Sequence, residues 1–437
     1  MRLTDALRLR PGMSVAFTGA GGKSSALAAL AREAAPGTPV ILTTSTRLGQ
    51  DQAALAAERA IVRSPDDARR LDLRGTSILV TGPPQGGKLG GLSPDALEAL
   101  RDRAISSGAV LSIEADGARG RWVKAPADHE PVIPSWVDLV VPVAGVRAIG
   151  ERLDEAIAHR PDIFARVVGI EVGGVLGPEH LADLLTSPQG GLKGVPDRAE
   201  VRVLLSGAEL GQMEGVVAGR VLGSPRVRAV LSADLTHDDP VRSVEGRTGG
   251  IVLAAGAATR LGAWKQTAVW RGVPLVGHVV RAARGGGLAP IVVVIGAAAA
   301  AVRRALEGEP VTFVENPRWA EGQSSSVDAG LAAVEARCEA AVFLLADMPR
   351  VSAATIERLR QTHRSCMASI VAPVAAGRRG NPVLFDRRTF PALHALAGDE
   401  GGRSLLARFE WTPVEVDPSE FFEVDTAADL DRLLREE

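Results

Sequence analysis

The sequence predicts an α/β protein made of two domains, each built on a mostly parallel sheet. The chain has 437 residues, which is more than one compact domain usually contains. Short runs rich in Val, Ile and Leu alternate with helix-length stretches, the rhythm of βαβ units. Two of these runs end in glycine-rich turns, one beginning at Gly19 and one at Gly256. We therefore expect domains at residues 1–235 and 250–437, joined by a polar linker at residues 236–249.

The composition is that of a globular protein without an overall basic field. Hydrophobic residues make up 46%, charged residues 23%, and the formal net charge is -2, so we expect neither a nucleic-acid nor a membrane partner. The first residues lack the order of a signal peptide, and the most apolar window, residues 291–302, is too short to span a bilayer. Cys338 and Cys366 have neither metal-binding nor disulfide spacing. These features indicate a cytoplasmic protein that acts on small molecules.

The first glycine-rich turn has the form of a phosphate-binding loop. A predicted strand at residues 14–18 precedes it, and an Ala/Leu-rich helix at residues 26–34 follows. Such a loop directs main-chain N–H groups at an anion, while the Lys ammonium reaches the outer phosphates and the Ser hydroxyl ligates Mg²⁺. Phe17 stands where a standard phosphate loop carries its first Gly, so this loop has to be tighter, and a plain glycine-rich turn is the alternative. The candidate phosphate-binding residues are Gly19, Gly21, Gly22, Lys23 and Ser24.

Two further strand ends in this half offer ligand groups. Residues 40–42 lead into four hydroxyl side chains that begin with Thr43, and residues 109–113 lead into Glu114 and Asp116. Ligands of open α/β sheets bind at the carboxyl ends of the strands. Thr43 and its neighbours therefore either hold Mg²⁺ or a γ-phosphate, or cap the next helix. Asp116 is either a metal-directing carboxylate or the acid of an Asp-Gly turn.

The second glycine-rich turn predicts a nucleotide site in the other half of the chain. Residues 250–255 suit a buried strand, and Gly256 follows where the chain has to turn. Small side chains at residues 254–258 let main-chain N–H groups approach a phosphate or a base edge, and Arg260 and Lys265 add two cations. This combination suits a triphosphate. The alternative is an ordinary strand-turn-helix corner with two solvated basic side chains.

Acidic and hydroxyl positions beside that turn complete the predicted site. A buried strand at residues 341–346 ends at Asp347, and Asp425 precedes the last helix, where helix capping is its alternative role. Mg²⁺ commonly takes one or two carboxylates together with phosphate oxygens, so Asp347 and Asp425 form a sufficient pair. Three successive serines at residues 324–326 open a predicted helix, and either read a base or a phosphate, or cap the helix.

Five motifs of the first half together resemble a known family. They are TGAGGKS at residues 18–24, TTST at 43–46, EADGARG at 114–120, KAPADHEP at 124–131 and HRP at 159–161. This set resembles the YqeC family, an accessory factor of selenium-dependent molybdenum hydroxylases. The resemblance covers most of residues 10–235 and implies a P-loop-like α/β domain, in which Gly22, Lys23 and Ser24 bind phosphate and Asp116 lies near the metal. It leaves ATP as a candidate ligand and an apo molybdenum hydroxylase as a candidate partner.

The motifs of the second half point to a transferase. They are LAAG at residues 253–256, RLG at 260–262 with Lys265, NPRW at 316–319, GQSSS at 322–326, LADMP at 345–349, RGNPV at 379–383, GDEGGR at 398–403 and VDT at 424–426. The set resembles the molybdenum cofactor cytidylyltransferases within the MobA-like family, and it implies a Rossmann-like nucleotidyltransferase domain with a mostly parallel sheet. Ala255 stands where guanylyl-transferring relatives carry Gly, which favours CTP over GTP as the substrate.

The resemblance implies that CTP and molybdenum cofactor react to give molybdopterin cytosine dinucleotide and diphosphate. It assigns Arg260 and Lys265 to the charge on the triphosphate, and Mg²⁺ to Asp347 and Asp425. The nucleotide would contact Leu253, Ala254, Ala255, Gly256, Gly262, Ser324 and Ser326. The molybdenum cofactor, as the second substrate, would contact Arg379, Asn381, Asp399 and Arg403, although each of these four is also a candidate loop-ordering residue.

Two other functions remain open at this point. The first is an ATP-dependent factor that matures a molybdenum hydroxylase or inserts its cofactor. The second is a nucleotidyltransferase that uses GTP or another phosphorylated acceptor.

Overall fold

The computed structural model describes residues 1–35, 38–73, 75–207, 211–256 and 265–435. Contacts within the chain divide it into two compact units, Met1–Glu245 and Gly246–Glu437, which we call the N-terminal and the C-terminal unit. The candidate residues Arg260 and Gly262 lie outside the described residues.

The predicted linker at residues 236–249 is not a structureless segment. It contains a strand, Val241–Gly246, and the first residues of another, Thr248–Ala254. The first of these strands forms the edge of the N-terminal sheet, and its Val241 and Val244 are buried. The polar composition conceals this strand because only two of its six residues, Val241 and Val244, are buried.

The N-terminal unit is a large, mostly parallel sheet flanked by helices, as the alternation of apolar runs predicts. Its strands are β1 (Ser14–Gly19), β2 (Val40–Thr44), β3 (Arg47–Leu48), β4 (Glu58–Ile61), β5 (Ser77–Gln85), β6 (Lys88–Gly90), β7 (Val110–Glu114), β8 (Val123–Lys124), β9 (Leu139–Gly145), β10 (Ala158–His159), β11 (Glu200–Ser206), β12 (Ala229–Ala233) and β13 (Val241–Gly246). Its helices are α1 (Leu3–Ala6), α2 (Lys23–Glu33), α3 (Pro65–Arg69), α4 (Pro94–Ser107), α5 (Pro161–Val168), α6 (Pro178–Thr186) and α7 (Gln212–Val221).

The strand β1 lies in the middle of this sheet. The order is β13-β12-β11-β9-β1-β7-β2-β5-β6-β3, with β4 beside β5. Both neighbours of β1, the strands β7 and β9, run parallel to it, and β2 runs parallel to β7. Antiparallel pairing occurs where β6 meets β5 and β3. The loops that follow β1, β2, β7 and β9 therefore emerge at one edge of the sheet, which is where such sheets bind ligands.

The C-terminal unit is a second α/β sheet. Its strands are β14 (Thr248–Ala254), β15 (Val269–Trp270), β16 (Val273–Pro274), β17 (Ile291–Ile295), β18 (Thr312–Glu315), β19 (Ala340–Leu345), β20 (Ile370–Ala375), β21 (Arg378–Arg379), β22 (Val383–Asp386) and β23 (Trp411–Glu415). Its helices are α8 (Leu275–Gly285), α9 (Ala299–Ala305), α10 (Gln323–Val334), α11 (Ala353–Cys366), α12 (Phe390–His394) and α13 (Ala427–Leu434).

The central strand of this sheet is β14, which pairs in parallel with β17 and β19. The order is β18-β17-β14-β19-β22-β20-β21, with β23 beside β20. Strand β22 is antiparallel to both β19 and β20, so the sheet is mixed at that side. Alternate residues of β14 enter two different cores: Val252 packs with α8 and α11, and Ile251 packs with α10. Helices thus cover both faces, which explains the nearly continuous apolar run of β14.

None of the helices in the described part of the chain has both the length and the apolar character that crossing a bilayer requires.

Candidate functional site

The glycine loop of the N-terminal unit is shaped by close backbone packing. Gly19 and Gly21 have φ of 85° and 80°, a region that favours glycine. A Cβ on Gly21 would lie 2.3 Å from the Trp122 carbonyl oxygen, and one on Gly19 would lie 2.4 Å from that of Val143. Helix α2 begins directly after the loop, at Lys23. The predicted order of strand, tight loop and helix is therefore present, and the phosphate-binding role of the loop stays a prediction.

Asp116 ties this loop to the strand beside it. Its carboxylate lies 3.1 Å from Lys23 Nζ and 2.9 Å from Lys124 Nζ, and it accepts a hydrogen bond of 3.1 Å from the Gly19 N–H. The Lys23 ammonium also donates to the Gly19 carbonyl. The side chains of Lys23, Lys124 and Asp116 are 4%, 0% and 2% exposed. Asp116 is therefore a buried acid that two lysines neutralise, a partnership that its place in the sequence does not reveal.

A second ion-paired acid extends this network. Glu130 lies 2.8 Å from Lys124 Nζ and 2.6 Å from Arg160 Nη1. Burial alone would raise the pKa of Glu130, but hydrogen bonds from Arg160 and Lys124 lower it to about 2. Burial together with the charges of Arg160, Lys124 and Arg119 lowers the pKa of the neighbouring His159 to about 4. The surroundings of His159 are therefore positively charged, which suits an anionic ligand.

The network borders a cleft of about 860 Å³. Four of the predicted phosphate-loop residues line it, namely Gly21, Gly22, Lys23 and Ser24. Its other cationic side chains are Arg47, Lys88, Arg119, Arg121, Arg147 and Arg160, and both His129 and His159 also line it. Such a basic cleft at the end of a parallel sheet can bind a phosphorylated molecule.

Three predicted residues lie behind this cleft instead of in its wall. Gly19 and Asp116 line a separate, much smaller pocket. Thr43 is fully buried, and its hydroxyl has no hydrogen-bond partner among the described residues. Thr43 is not among the residues that line the cleft, and its contact with a ligand stays a prediction.

Glu114, the last residue of β7, was not among the predicted site residues, although it stands two positions before Asp116. Glu114 lines the cleft and is 5% exposed. The Gln52 amide donates to the Glu114 carboxylate at 3.2 Å and to the Ser24 hydroxyl at 2.6 Å. Burial raises the pKa of Glu114, although the charge of Lys23 opposes the shift. The available signal was the position of Glu114 at the strand end, which in parallel sheets adjoins the ligand.

In the C-terminal unit, the structure brings Lys265 together with the two predicted metal-binding acids. Lys265 Nζ lies 2.5 Å from Asp347 and 2.9 Å from Asp425. Burial alone would lower the pKa of Lys265, but the charge of Asp347 and hydrogen bonds to Asp347 and Asp425 raise it. Lys265 is therefore a protonated cation at neutral pH.

Glu423 adds a third acid, which was not among the predicted site residues. Carboxylate oxygens of Asp347, Glu423 and Asp425 all lie within 4.8 Å of one another. Burial and the charges of Asp347 and Asp425 raise the pKa of Glu423, as expected for clustered acids. One oxygen of Asp347 is buried and has no hydrogen-bond partner among the described residues. Three converging carboxylates with an unsatisfied oxygen are a donor set suited to Mg²⁺ or Mn²⁺.

Backbone contacts hold these acids in place although they come from distant parts of the chain. The Val424 N–H donates to the Asp347 carbonyl at 3.0 Å, which fastens residues 423–425 to the end of β19. The guanidinium carbons of Arg350 and Arg432 lie 4.2 and 4.4 Å from the ring centre of Phe422, next to Glu423. The capping role that was the alternative for Asp425 belongs to Thr426, whose hydroxyl accepts from the Asp429 N–H.

The predicted nucleotide contacts of the C-terminal unit are only partly at the surface of a pocket. Leu253 lines a pocket and Gly256 is exposed, whereas Ala254 and Ala255 are buried in the core. Ser324 and Ser326 are 7% and 6% exposed. The Ser326 hydroxyl accepts a 2.9 Å hydrogen bond from the amide of Asn316. This hydrogen bond joins Asn316 to the first turn of α10, and nucleotide contact by Ser324 and Ser326 stays a prediction.

All four residues predicted for the second substrate meet in one pocket of about 370 Å³. Arg379, Asn381, Asp399 and Arg403 line it together with Glu423. Its apolar wall consists of Leu253, Val327, Phe343, Leu345, Val383, Phe385, Leu393 and Leu406. Two cations beside an apolar wall suit a ligand that combines a flat apolar part with a phosphate. Glu423 belongs both to this pocket and to the acid cluster, so the two features adjoin.

Comparisons with known proteins match the two units separately. Residues 15–162 match the family model described as YqeC protein, and residues 250–414 match the model described as MobA-like NTP transferase domain. The chain is 33% identical over 187 residues to the uncharacterized protein YqeC of Escherichia coli K12, covering 42% of this chain and 71% of that protein. It is 34% identical over 196 residues to nicotine blue oxidoreductase of Paenarthrobacter nicotinovorans, covering 42% of this chain and 95% of that protein.

Solved structures also resemble part of the chain. Rv0371c of Mycobacterium tuberculosis is 31% identical and covers 43% of this chain and 98% of its own, with a TM-score of 0.40. A second structure of Rv0371C, a complex with manganese, is 30% identical and covers 44% of this chain and 100% of its own, with a TM-score of 0.39.

Proposed function

The chain belongs to the YqeC family and to the MobA-like NTP transferase family, so it is a nucleotidyltransferase, and we propose that it is a molybdenum cofactor cytidylyltransferase. In this reaction CTP and molybdenum cofactor give molybdopterin cytosine dinucleotide and diphosphate. The observation that carries the proposal is the acid cluster, which shares Glu423 with a pocket that holds Arg379 and Arg403. The N-terminal unit would act as a nucleotide-binding accessory domain for the maturation of a molybdenum hydroxylase.

The acid cluster fits a divalent metal such as Mg²⁺. Asp347, Glu423 and Asp425 supply converging oxygens, and one buried Asp347 oxygen has no hydrogen-bond partner among the described residues. Hard divalent cations bind carboxylate oxygens together with phosphate oxygens. A bound metal would neutralise negative charge on the triphosphate. The manganese complex of the similar Rv0371C supports the use of a divalent ion.

Lys265 supplies a second positive charge at the same place. Its ammonium stays protonated because Asp347 and Asp425 stabilise the charge. Lys265 is 17% exposed, so a triphosphate in the site can replace the carboxylates as its partner. In the transfer, a phosphate oxygen of the cofactor forms a bond to the α-phosphorus of CTP while the bond from that phosphorus to diphosphate breaks. Fixed positive charges stabilise such a transition state more than the separated substrates. Arg260, outside the described residues, is proposed to act with Lys265.

The pocket beside the cluster suits the acceptor. Arg379 and Arg403 can pair with its phosphate, and Asn381 and Asp399 can hydrogen-bond the polar edge of a ring. The rings of Phe343 and Phe385 give the wall a flat apolar surface. Molybdopterin, a pterin that carries a terminal phosphate, has this combination of properties.

Other functions are favoured by single observations. The basic cleft of the N-terminal unit favours an ATP-dependent maturation or insertion factor, which is compatible with transfer in the other unit. For the transferase itself, the alternatives are GTP as the nucleotide donor and another phosphorylated molecule as the acceptor. The similarity to nicotine blue oxidoreductase favours a redox reaction, but three clustered carboxylates beside a lysine suit a metal-bound triphosphate better.

The test is diphosphate release by the purified full chain, with CTP, GTP or ATP at equal concentration, each with and without molybdenum cofactor. We expect release from CTP that requires both the cofactor and a divalent metal, and that stops when EDTA is added. The isosteric Asp347→Asn variant should lose the reaction, whereas the matched exposed change Asp431→Asn should keep it. Release from GTP at the same rate, release without the cofactor, or full activity in EDTA would contradict the assignment.

A further inference from the structure

In the N-terminal unit, the side-chain amide of Gln52 stands between two oxygens from different elements. Its Nε2 donates to Ser24 Oγ at 2.6 Å and to Glu114 Oε2 at 3.2 Å. Ser24 belongs to the first turn of α2, and Glu114 is the last residue of β7. An NH₂ group between a hydroxyl and a carboxylate occupies the kind of position that a cation takes, because both oxygens direct lone pairs at it.

Glu114 lacks the pairing that the other buried acid of this unit has. Asp116 contacts the ammonium groups of Lys23 and Lys124, whereas among the described residues no ion pair is formed by Glu114, which is 95% buried and receives its hydrogen bond from Gln52. Burying a carboxylate without a cation is costly. Glu114 also lines the cleft and Asp116 does not, so Glu114 is the acid that a ligand in the cleft can reach.

The same wall of the cleft provides groups for phosphate. Helix α2 has 11 residues, and its first residues, Lys23, Ser24 and Ser25, line the cleft. Basic side chains surround the rest of the cleft, among them Arg119, Arg147 and Arg160. A phosphate near the start of α2 would bring its oxygens close to Ser24. A divalent cation between that phosphate and Glu114 would complete a ligand set of hard oxygens.

We propose that the N-terminal cleft binds a divalent cation between the Glu114 carboxylate and the Ser24 hydroxyl, together with the phosphates of a polyphosphate ligand. Gln52 holds the two oxygens in place until the cation enters, and Asp116 serves the structure by binding Lys23 and Lys124. This inference concerns a site separate from Asp347, and it does not depend on the reaction proposed for the C-terminal unit.

The test counts bound metal in the full chain by equilibrium dialysis against Mn²⁺, with inorganic tripolyphosphate on both sides of the membrane. Tripolyphosphate is the probe because it presents phosphates without favouring one base. We expect two Mn²⁺ per wild-type chain, one in each unit. Glu114→Gln, which keeps the shape of the side chain, should leave one Mn²⁺ per chain, and Asp347→Asn should remove the other.

Two further variants keep the test decisive. Ser24→Ala should weaken the N-terminal Mn²⁺ about tenfold, and because Ser24 is only partly buried, this variant should fold even if Glu114→Gln does not. Asp51→Asn removes an exposed acid from the same cleft and should keep both ions. The proposal is overturned if Glu114→Gln and Ser24→Ala retain both ions, if Asp51→Asn loses as much as they do, or if the wild type binds a single ion that only Asp347→Asn removes. A loss at Glu114 without a loss at Asp347 would support this site and count against the proposed transferase site.

Discussion

Each unit places a lysine against carboxylates at the carboxyl edge of its parallel strands, but the two networks differ in burial. In the N-terminal unit, the side chains of Lys23, Lys124 and Asp116 are at most 4% exposed. In the C-terminal unit, Lys265, Asp347 and Asp425 are 17%, 15% and 49% exposed. A buried network is part of the fold, because separating its charges leaves one without a partner. An open network can exchange partners with a substrate at little cost.

The largest expected effect is on stability in the N-terminal unit. Asp116→Asn should lower the free energy of unfolding by about 3–5 kcal/mol, because it leaves Lys23 buried without its ion pair. Asp425→Asn, the matched change in the open network, should cost less than about 1 kcal/mol. Urea unfolding of the full chain, followed separately for each unit by limited proteolysis, measures both. Equal losses would show that the difference in burial has no energetic meaning.

The second effect is on catalysis in the C-terminal unit. Lys265→Ala should reduce kcat/KM for diphosphate release by about 10²–10³-fold, the usual loss for a group that stabilises the transition state. Its melting temperature should stay close to that of the wild type because the lysine is partly exposed. Lys88→Ala, an exposed lysine of the other unit, is the control and should keep its activity. A Lys265→Ala enzyme with near-normal turnover would make the open network a structural feature only.

Replacing Glu423, the third acid of the cluster, should have a smaller effect on catalysis than replacing Lys265. Glu423→Gln should lower kcat/KM about tenfold and weaken Mn²⁺ binding in the C-terminal unit, since the cluster keeps the carboxylates of Asp347 and Asp425. Single-turnover kinetics with varied Mn²⁺ distinguish loss of metal from loss of acceptor, because Glu423 also lines the acceptor pocket. An unchanged Mn²⁺ affinity would assign Glu423 to the pocket alone.

The smallest effect is the opposite pH dependence contributed by one histidine in each unit. Folding lowers the pKa of His159 from 6.5 to about 4. As the pH falls from 6.5 to 4, the unfolded chain therefore binds a proton at this residue before the folded chain does, and the contribution of His159 to the free energy of unfolding declines. Burial alone would lower the pKa of His394, but hydrogen bonds to Asp328 and Glu335 raise it. The contribution of His394 to the free energy of unfolding is complete below pH 6.5 and declines as the pH rises through the raised pKa.

Replacing each histidine by Gln tests these two signs. His159→Gln should flatten the loss of stability between pH 6.5 and 4, and His394→Gln should be more destabilising at pH 6 than at pH 8. After solvent screening we expect each difference to be about 1 kcal/mol or less. Urea unfolding across this pH range is the measurement, and slopes of the same sign for both variants would contradict the assignment.

The sequence predicted the fold class, and it predicted which distant residues come together where these residues follow the carboxyl ends of parallel strands. Asp347 follows β19 directly, so its place at the carboxyl edge could be read from the apolar run before it. Asp425 was paired with it on chemical grounds, and the structure brings both acids to Lys265. Arg379, Asn381, Asp399 and Arg403, chosen from a family resemblance, meet in one pocket.

Other features depend on contacts that no local pattern encodes. Thr43 is buried in β2 and the Ser326 hydroxyl accepts a hydrogen bond from Asn316, two placements that residue type alone does not reveal. Glu114 is the acid that faces the cleft because Lys23 and Lys124 bind Asp116, and the sequence does not show these two ion pairs. The strand at Val241–Gly246 was missed because it lies at the edge of the sheet and buries only Val241 and Val244.

Because the Val424 N–H donates to the Asp347 carbonyl, the segment around Val424 has to be kept when the C-terminal unit is truncated. The match to the MobA-like model ends at residue 414, yet two of the three clustered acids, Glu423 and Asp425, come after it. A protease or a stop codon acting between residues 415 and 422 would spare every strand of the sheet and still remove two of the three acids that we propose bind the metal. For mutational screens and for subcloning, this unit therefore has to be kept at least as far as Asp425, beyond the end of the family match at residue 414.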